Sequence, residues 1–329
     1  MSYSELLNIK SLDLKDKSIL LIGSGAISEQ YALALKSFGI SNVTVLSNSD
    51  ENVTKLCTKF NFTPLSGGFK KHLPNISKKD LVIIATPIHL LLPCLESALN
   101  NGQTNILVEK PGTLYHKEFL SIVEKYSSAK VRVGYNRLLY PNLLLLKELV
   151  QKDGGITSCT FTFTEWVHKI NFEKNSSDVY ARWGIANTLH VISMVTDLIN
   201  MPKKITAYQS GHSDWHPSGS IFVGSGISKS NIPFSYHSDW NSNGRWGIEV
   251  MTAKNSYRLI PLEELYVSTK GTTKWEKIPT SSAFLDAKPG LTEEIAVMLD
   301  DNLSQKIDLP TLSEALELNK LAEKIFGYD

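Results

Sequence analysis

The sequence predicts an α/β fold with an N-terminal parallel sheet, followed by a C-terminal α+β domain with a large, mainly antiparallel sheet. Three observations carry this reading. Up to about residue 134, short apolar runs alternate with stretches of helical periodicity, the pattern of strand–helix–strand units. From Gly155 the pattern becomes strict alternation, as in a strand with one face exposed. The tail returns to helical periodicity. At 329 residues the chain exceeds one small core. With about 100–200 residues per domain it fits two, read as residues 1–136 and 137–329.

Taken in order, Lys17 to Ile22 is an apolar run that ends in glycine, and Glu29 to Phe38 carries apolar residues at helical spacing. Asn42 to Leu46 reads as the second strand, Asn52 to Phe60 as a helix, Asp80 to Ala85 as a buried strand, and Ile88 to Asn100 as a helix ending near Gly102. Thr104 to Val108 and Lys130 to Gly134 are strands flanking a helix over Lys117 to Tyr126, and Pro141 opens a helix to about Val150. In the second half Cys159, Phe161, Phe163 and Val167 fall on one side of a strand, with Thr160, Thr162, Thr164 and Trp166 on the other. Further strands are expected near 203–213, 219–227, 232–240, 245–252, 256–260 and 264–268. Helices are expected over Thr292 to Leu303 and Ser313 to Phe326, the latter ended by Gly327.

Composition narrows the function classes. With 34 basic and 33 acidic residues the formal net charge is +1, which gives no electrostatic footprint for nucleic acid or an anionic membrane and points to a small-molecule partner. Cys57, Cys94 and Cys159 are odd in number and lack C-x-x-C spacing, so neither a disulfide framework nor a zinc site is expected. His212, His216 and His237 likewise lack metal-ligand spacing, and no metal is expected. The first residues lack the continuous apolar region of a signal peptide, and no apolar run approaches a membrane span, so the expectation is a cytoplasmic protein.

The first strand ends in Gly23-Ser24-Gly25-Ala26-Ile27-Ser28. In the Rossmann fingerprint the first glycine permits the turn, the second lets backbone approach a pyrophosphate, and the helix N-terminus holds the anion. Here Ser28 occupies the third glycine position. The end of the second strand, where an acidic residue usually receives the adenosine ribose, reads Ser47-Asn48-Ser49. Three neutral donors, with Lys55 beyond, tolerate a 2′-phosphate, and the reading leans to NADP over NAD.

These elements, together with Ala85-Thr86-Pro87-Ile88-His89, Glu109-Lys110-Pro111 and Gly134-Tyr135-Asn136-Arg137 in that order, resemble the Gfo/Idh/MocA oxidoreductases, and Asn187 three residues before His190 resembles a subgroup of surface-sugar pathways. The resemblance implies a cofactor site drawn from Gly23, Ser24, Gly25, Ala26, Ile27, Ser47, Asn48, Ser49, Ala85, Thr86, Pro87, His89, Glu109 and Lys110. It implies that Lys110 lies beside the nicotinamide, where an ammonium stabilises charge developing on the reacting oxygen. It also implies a histidine acid/base, His190, since an unperturbed imidazole, with a pKa near 6.5, is readily tuned to neutrality.

Many members place acidic residues four before and three after that histidine; here those positions hold Ala186 and Ser193. Asn187, three before His190, shares its helical face and is read as orienting substrate. Asn136, Arg137, Trp166, Arg182 and Trp183 complete the expected substrate side, within a segment whose tryptophans and arginines suit sugar rings. The function read is hydride transfer between nicotinamide and a secondary alcohol or ketone of a sugar or sugar-like acid, in a homodimer or homotetramer. The alternatives are a polyol or imine oxidoreductase on the same scaffold, and a catalytically silent NAD(P)-binding sensor.

Overall fold

The computed structural model describes residues 3–126 and 129–328; residues 1, 2, 127, 128 and 329, among them the outer ends of both expected domains, lie outside the described residues. Along the chain run α1 (Tyr3–Leu7), β1 (Ile19–Ile22), α2 (Ala26–Ser37), β2 (Val43–Ser47), α3 (Asp50–Phe60), β3 (Thr63–Ser66), α4 (Phe69–His72), β4 (Leu81–Ile84), α5 (Ile88–Asn100), β5 (Asn105–Glu109), α6 (His116–Lys125) and β6 (Lys130–Gly134). Then come α7 (Pro141–Lys152), β7 (Ser158–Phe163), α8 (Ser177–Ala181), α9 (Leu189–Ile199), β8 (Pro202–Ser210), β9 (Ile221–Ser228), β10 (Pro233–Asp239) and β11 (Trp246–Met251). The chain closes with β12 (Asn255–Leu259), β13 (Leu265–Thr269), β14 (Glu276–Ile278), α10 (Leu291–Leu299), α11 (Asp301–Ser304) and α12 (Leu312–Phe326).

The first unit holds a six-stranded parallel sheet in the order β3-β2-β1-β4-β5-β6. This order reverses at β1, the arrangement of a doubly wound dinucleotide-binding sheet. All four residues of β1 and all four of β4 are buried, because helices cover both faces of the sheet. Each fully buried Ile or Leu contributes about 1.5–3 kcal/mol relative to exposure. Register positions the site. Ile22 pairs with both Leu46 and Ile84, and Ile84 with Val108, so Gly23, Ser47, Ala85 and Glu109 emerge together at the carboxyl edge of the sheet.

The second unit holds an eight-stranded sheet ordered β14-β13-β12-β11-β7-β10-β9-β8, antiparallel except where β7 and β10 run parallel. One face is apolar: Cys159, Phe161 and Phe163 of β7 are buried beside Phe234 and Tyr236 of β10. Phe326 of α12 closes on that face, 5.4 Å from the Phe163 ring and 4.9 Å from Phe222.

Two short strands escape sequence reading. β3 contains Pro64 and is largely exposed, and β14 is a three-residue edge, so neither shows an apolar alternation. The helix expected over Thr292 to Leu303 is two: Asp300 leaves helical geometry, and its carboxylate accepts from Leu303 N at 2.7 Å to cap α11. Two compact units part after Leu139, with Ser282–Glu317 grouped with the first sheet and the chain from Leu318 onward with the second.

Candidate functional site

In the first unit the β1–α2 turn depends on Gly23. Its φ is +125°, and a Cβ there would lie 2.3 Å from the Ala85 carbonyl oxygen, so only glycine lets β1 and β4 end side by side. Gly25 differs. It precedes α2 with φ −87°, and a Cβ would meet nothing within 4 Å among the described residues, which leaves open space before the helix N-terminus, where the first N–H groups of a helix have no intrahelical acceptor. Ser28, in the third fingerprint position, is fully buried under the turn.

Ser24 Oγ and Ser47 Oγ lie 2.7 Å apart, which ties the glycine turn to the end of β2. Ser47 Oγ also accepts from Ser49 N at 3.3 Å, while Ser49 caps α3 through Asn52 N at 3.2 Å. Asp50 and Glu51 thus enter the first turn of α3, where its dipole favours them. Thr86 and Pro87 follow β4, Pro87 directly before α5, and the Thr86 hydroxyl oxygen is buried with no hydrogen-bond partner among the described residues. His89 is exposed in the first turn of α5. An open helix N-terminus, hydroxyls at the ends of β1 and β2, and an unsatisfied hydroxyl after β4 fit a dinucleotide laid along this edge.

Lys110 directly follows β5 and is half-buried. Beside it Glu109 accepts from the Tyr31 hydroxyl at 2.7 Å. Burial raises the Glu109 carboxyl above the ordinary range, against the pull of Tyr31, Lys110 and Lys288. Asn136 is committed within this unit: it is 4% exposed and donates to the Pro289 carbonyl at 2.9 Å. Arg137 is half-buried.

In the second unit the segment Gly184–Thr188 is a π-helical turn that runs into α9. Such turns displace side chains from the α-helical pattern and recur at functional sites. A Cβ on Gly184 would lie 2.3 Å from the Phe326 ring, so glycine lets this turn sit on α12. The turn delivers Asn187 and Thr188 to Glu165, a residue that sequence reading missed. Glu165 is 4% exposed; its Oε1 accepts from Thr188 Oγ1 at 2.6 Å and Trp246 Nε1 at 3.2 Å. Asn187 Nδ2 lies 3.0 Å from its Oε2 and 3.2 Å from its Oε1. Burial pushes the Glu165 carboxyl up, opposed by Thr188, Trp183, the Arg245 charge and Asn187. His190 is 7% exposed, with its ring 6.2 Å from that of Trp246.

Glu165 has a sequence signature. It shares register with Cys159, Phe161 and Phe163, so it is a carboxylate on the apolar side of the β7 line, where burial without partners is prohibitive. The other expected substrate residues of this unit make contacts of their own. Arg245 lies over the rings of Trp166 and Trp246 at 4.6 and 4.8 Å, and exposed Trp166 donates to the Gly244 carbonyl. Arg182 is buried, paired with Glu323 at 2.5 Å and set over the Tyr328 ring, which gives it a structural task in holding α12. Trp183 stacks on Tyr180 and meets Trp215 edge-on.

Residues 17–137 match the family model described as "Oxidoreductase family, NAD-binding Rossmann fold". A glutamyl-tRNA reductase from Sulfurihydrogenibium sp. is 31% identical over 88 residues, 26% of this chain and 20% of its own, so the chain spans about a fifth of that relative's length. Among solved structures, an oxidoreductase from Thermotoga maritima aligns with TM-score 0.76 at 15% identity, covering 94% of this chain and 95% of its own. A levoglucosan dehydrogenase in complex with NADH and L-sorbose gives TM-score 0.76 at 16% identity, over 94% and 96%. The UDP-N-acetylglucosamine 3-dehydrogenase of Acidithiobacillus ferrooxidans gives TM-score 0.72 at 12% identity, over 94% and 97%. At these identities the likeness is one of fold. The first unit carries an NAD-binding Rossmann fold.

Proposed function

Because residues 17–137 belong to the Gfo/Idh/MocA oxidoreductase family, we propose that the chain moves hydride between a nicotinamide and a secondary alcohol or ketone of a sugar or sugar-like acid used in surface-sugar synthesis. The observation that carries the substrate side is the buried Glu165 holding Asn187 Nδ2 and Trp246 Nε1. A polar group fixed among aromatic rings suits a sugar, whose C–H faces pack on rings while its hydroxyls need placed partners.

The bound nicotinamide supplies the hydride acceptor or donor. Backbone N–H groups of Ser24, Gly25 and Ala26 would hold its pyrophosphate, with Ile27 beneath. Ser47, Asn48 and Ser49 would meet the adenosine ribose; hydroxyls there favour a 2′-phosphate, and hence NADP, over what a carboxylate would allow. Ala85, Thr86, Pro87, His89 and Glu109 would line the rest of the edge. Lys110 would hydrogen-bond the reacting oxygen and stabilise its developing charge. His190 would hold or release the hydroxyl proton and Asn187 would orient the ring. Levoglucosan dehydrogenase and UDP-N-acetylglucosamine 3-dehydrogenase share the fold and are named for sugar substrates, which agrees with this reading.

The test is a spectrophotometric screen of the purified protein with NADP or NAD against free and nucleotide-linked sugars, beside Lys110→Met. Sugar-dependent nicotinamide reduction that Lys110→Met lowers by at least about a thousandfold supports the reading. Turnover of polyols or cyclic imines alone would replace it.

A further inference from the structure

Tyr31 sits between two carboxyl groups. Its hydroxyl oxygen is 2.7 Å from Glu109 Oε1 and 2.8 Å from Glu294 Oε2, and Tyr31 and Glu294 are both 0% exposed. A phenol has one proton to donate. If it goes to one carboxylate, the other oxygen contact is favourable only when that second carboxyl carries its own proton and donates to the phenol. The same unit thus holds a hydrogen, shared along Glu294, Tyr31 and Glu109, that a count of ionised acids omits.

The partners decide which carboxyl is neutral. Glu109 receives the Lys110 backbone N–H as well as the Tyr31 hydroxyl, and the Lys110 and Lys288 charges favour its anion. Glu294 has the opposite surroundings: its Oε1 is buried with no hydrogen-bond partner among the described residues, packed toward Gly134. A bare carbonyl oxygen costs far less there than a bare carboxylate oxygen. Charged neighbours face Glu294 from three directions: Glu109 from β5, Glu293 from α10 itself, and Lys288 from the preceding loop. Burial drives its carboxyl well upward, with Glu109 adding to the effect. Glu293 is spent otherwise, accepting from Gly290 N and Thr292 Oγ1.

We propose that Glu294 is a neutral acid that donates to Tyr31, which in turn donates to ionised Glu109, so that Glu294 and Tyr31 act as positioning residues for the strand end that carries Lys110. The strand end then faces one buried anion and not two. The hydrogen-bond direction stands on this geometry alone; the positioning of Lys110 rests on the oxidoreductase reading.

The test uses the full chain labelled with ¹³C at the glutamate carboxyl, followed by NMR between about pH 5 and pH 8. One glutamate resonance is expected to stay at the neutral-acid position throughout and to be missing from Glu294→Gln. If that resonance persists in Glu294→Gln, or if every glutamate carboxyl is ionised by pH 6, the proposal is overturned. A second readout needs no substrate: the pH dependence of Lys110 acetylation, by trace labelling and mass spectrometry. Glu294→Gln should leave its midpoint within about 0.2 units, whereas Glu109→Gln should lower it by about 1 unit. A fall of that size in Glu294→Gln would mean that Glu294 is the anion. For fold control, Glu294→Gln should melt within about 2 °C of the parent and Glu294→Ala at least about 5 °C lower; equal losses in both would contradict a neutral donor at this position. Because none of these readouts requires turnover, failure to find a sugar substrate leaves them decisive.

Discussion

Asn187 Nδ2 lies 3.0 Å from Glu165 Oε2 and 3.2 Å from Glu165 Oε1. A carboxylate takes only the donor end of an amide, so this contact fixes the flip and turns Asn187 Oδ1, an acceptor, away from Glu165. Glu165→Gln gives that site a donor of its own and releases the flip. We expect a sugar KM at least about tenfold higher, with nicotinamide affinity within about twofold, measured by steady-state kinetics and cofactor titration. Equal losses of both would assign Glu165 to the fold alone.

Gly23 and Gly25 separate folding from cofactor binding. Gly23→Ala places a Cβ 2.3 Å from the Ala85 carbonyl oxygen at φ +125°, and should cost at least about 2 kcal/mol of stability in urea titration. Gly25→Ala has ordinary φ and room for its Cβ, so its stability should stay within about 0.5 kcal/mol. That methyl enters the space before α2, and the expected loss is at least tenfold, about 1.4 kcal/mol, in nicotinamide affinity.

Arg182→Met tests the assignment of that arginine. Its pair with Glu323 is enclosed, with side-chain exposures of 8% and 12%, and loss of one partner strands a buried charge. The expected cost is about 3 kcal/mol of stability, with any remaining folded protein keeping its sugar KM. A stable variant with a raised KM would return Arg182 to the substrate.

His216 gives an acid-sensitive contribution of determinable sign. It is fully buried, its Nδ1 2.8 Å from the Gly219 carbonyl and its Nε2 2.6 Å from the Tyr328 hydroxyl. Burial brings its imidazole down from 6.5 to about 4, with Gly219 pulling weakly the other way. Between these values the unfolded chain binds the proton and the native state does not. The contribution is therefore complete above about pH 6.5 and is lost as pH falls, by up to about 1.4 kcal/mol per unit and about 3 kcal/mol by pH 4. Urea midpoints at pH 7 and pH 4.5 should converge in His216→Asn relative to the parent; an unchanged pH difference would remove His216 from the acid response.

The parallel sheet was legible because β1 and β4 are buried on both faces and read as unbroken apolar runs, and the turn at Gly23 was legible from its glycines. The β7 strand was legible from alternation. Glu165 lies in the same register, yet its meaning comes from Thr188 and Trp246, 23 and 81 residues away in sequence, which no local pattern reports. The π turn at Gly184–Thr188 was read as ordinary helix, and the close seat of Gly184 against Phe326, far along the chain, is likewise something no local pattern reports. Arg182, expected on the substrate side, pairs with Glu323 of α12, a partner 141 residues away that no local pattern reports. β3 was hidden by Pro64 and solvent.

The central claim is that the carboxyl edge of the first sheet binds a nicotinamide dinucleotide, with Lys110 serving chemistry and not affinity. It is tested most directly by titrating the wild-type protein and Lys110→Ala with NADPH and with NADH, following tryptophan-to-nicotinamide energy transfer. Saturable binding, tighter for NADPH and retained within about threefold in Lys110→Ala, is the predicted result. No saturable binding of either dinucleotide by the wild-type protein would contradict the account at its base.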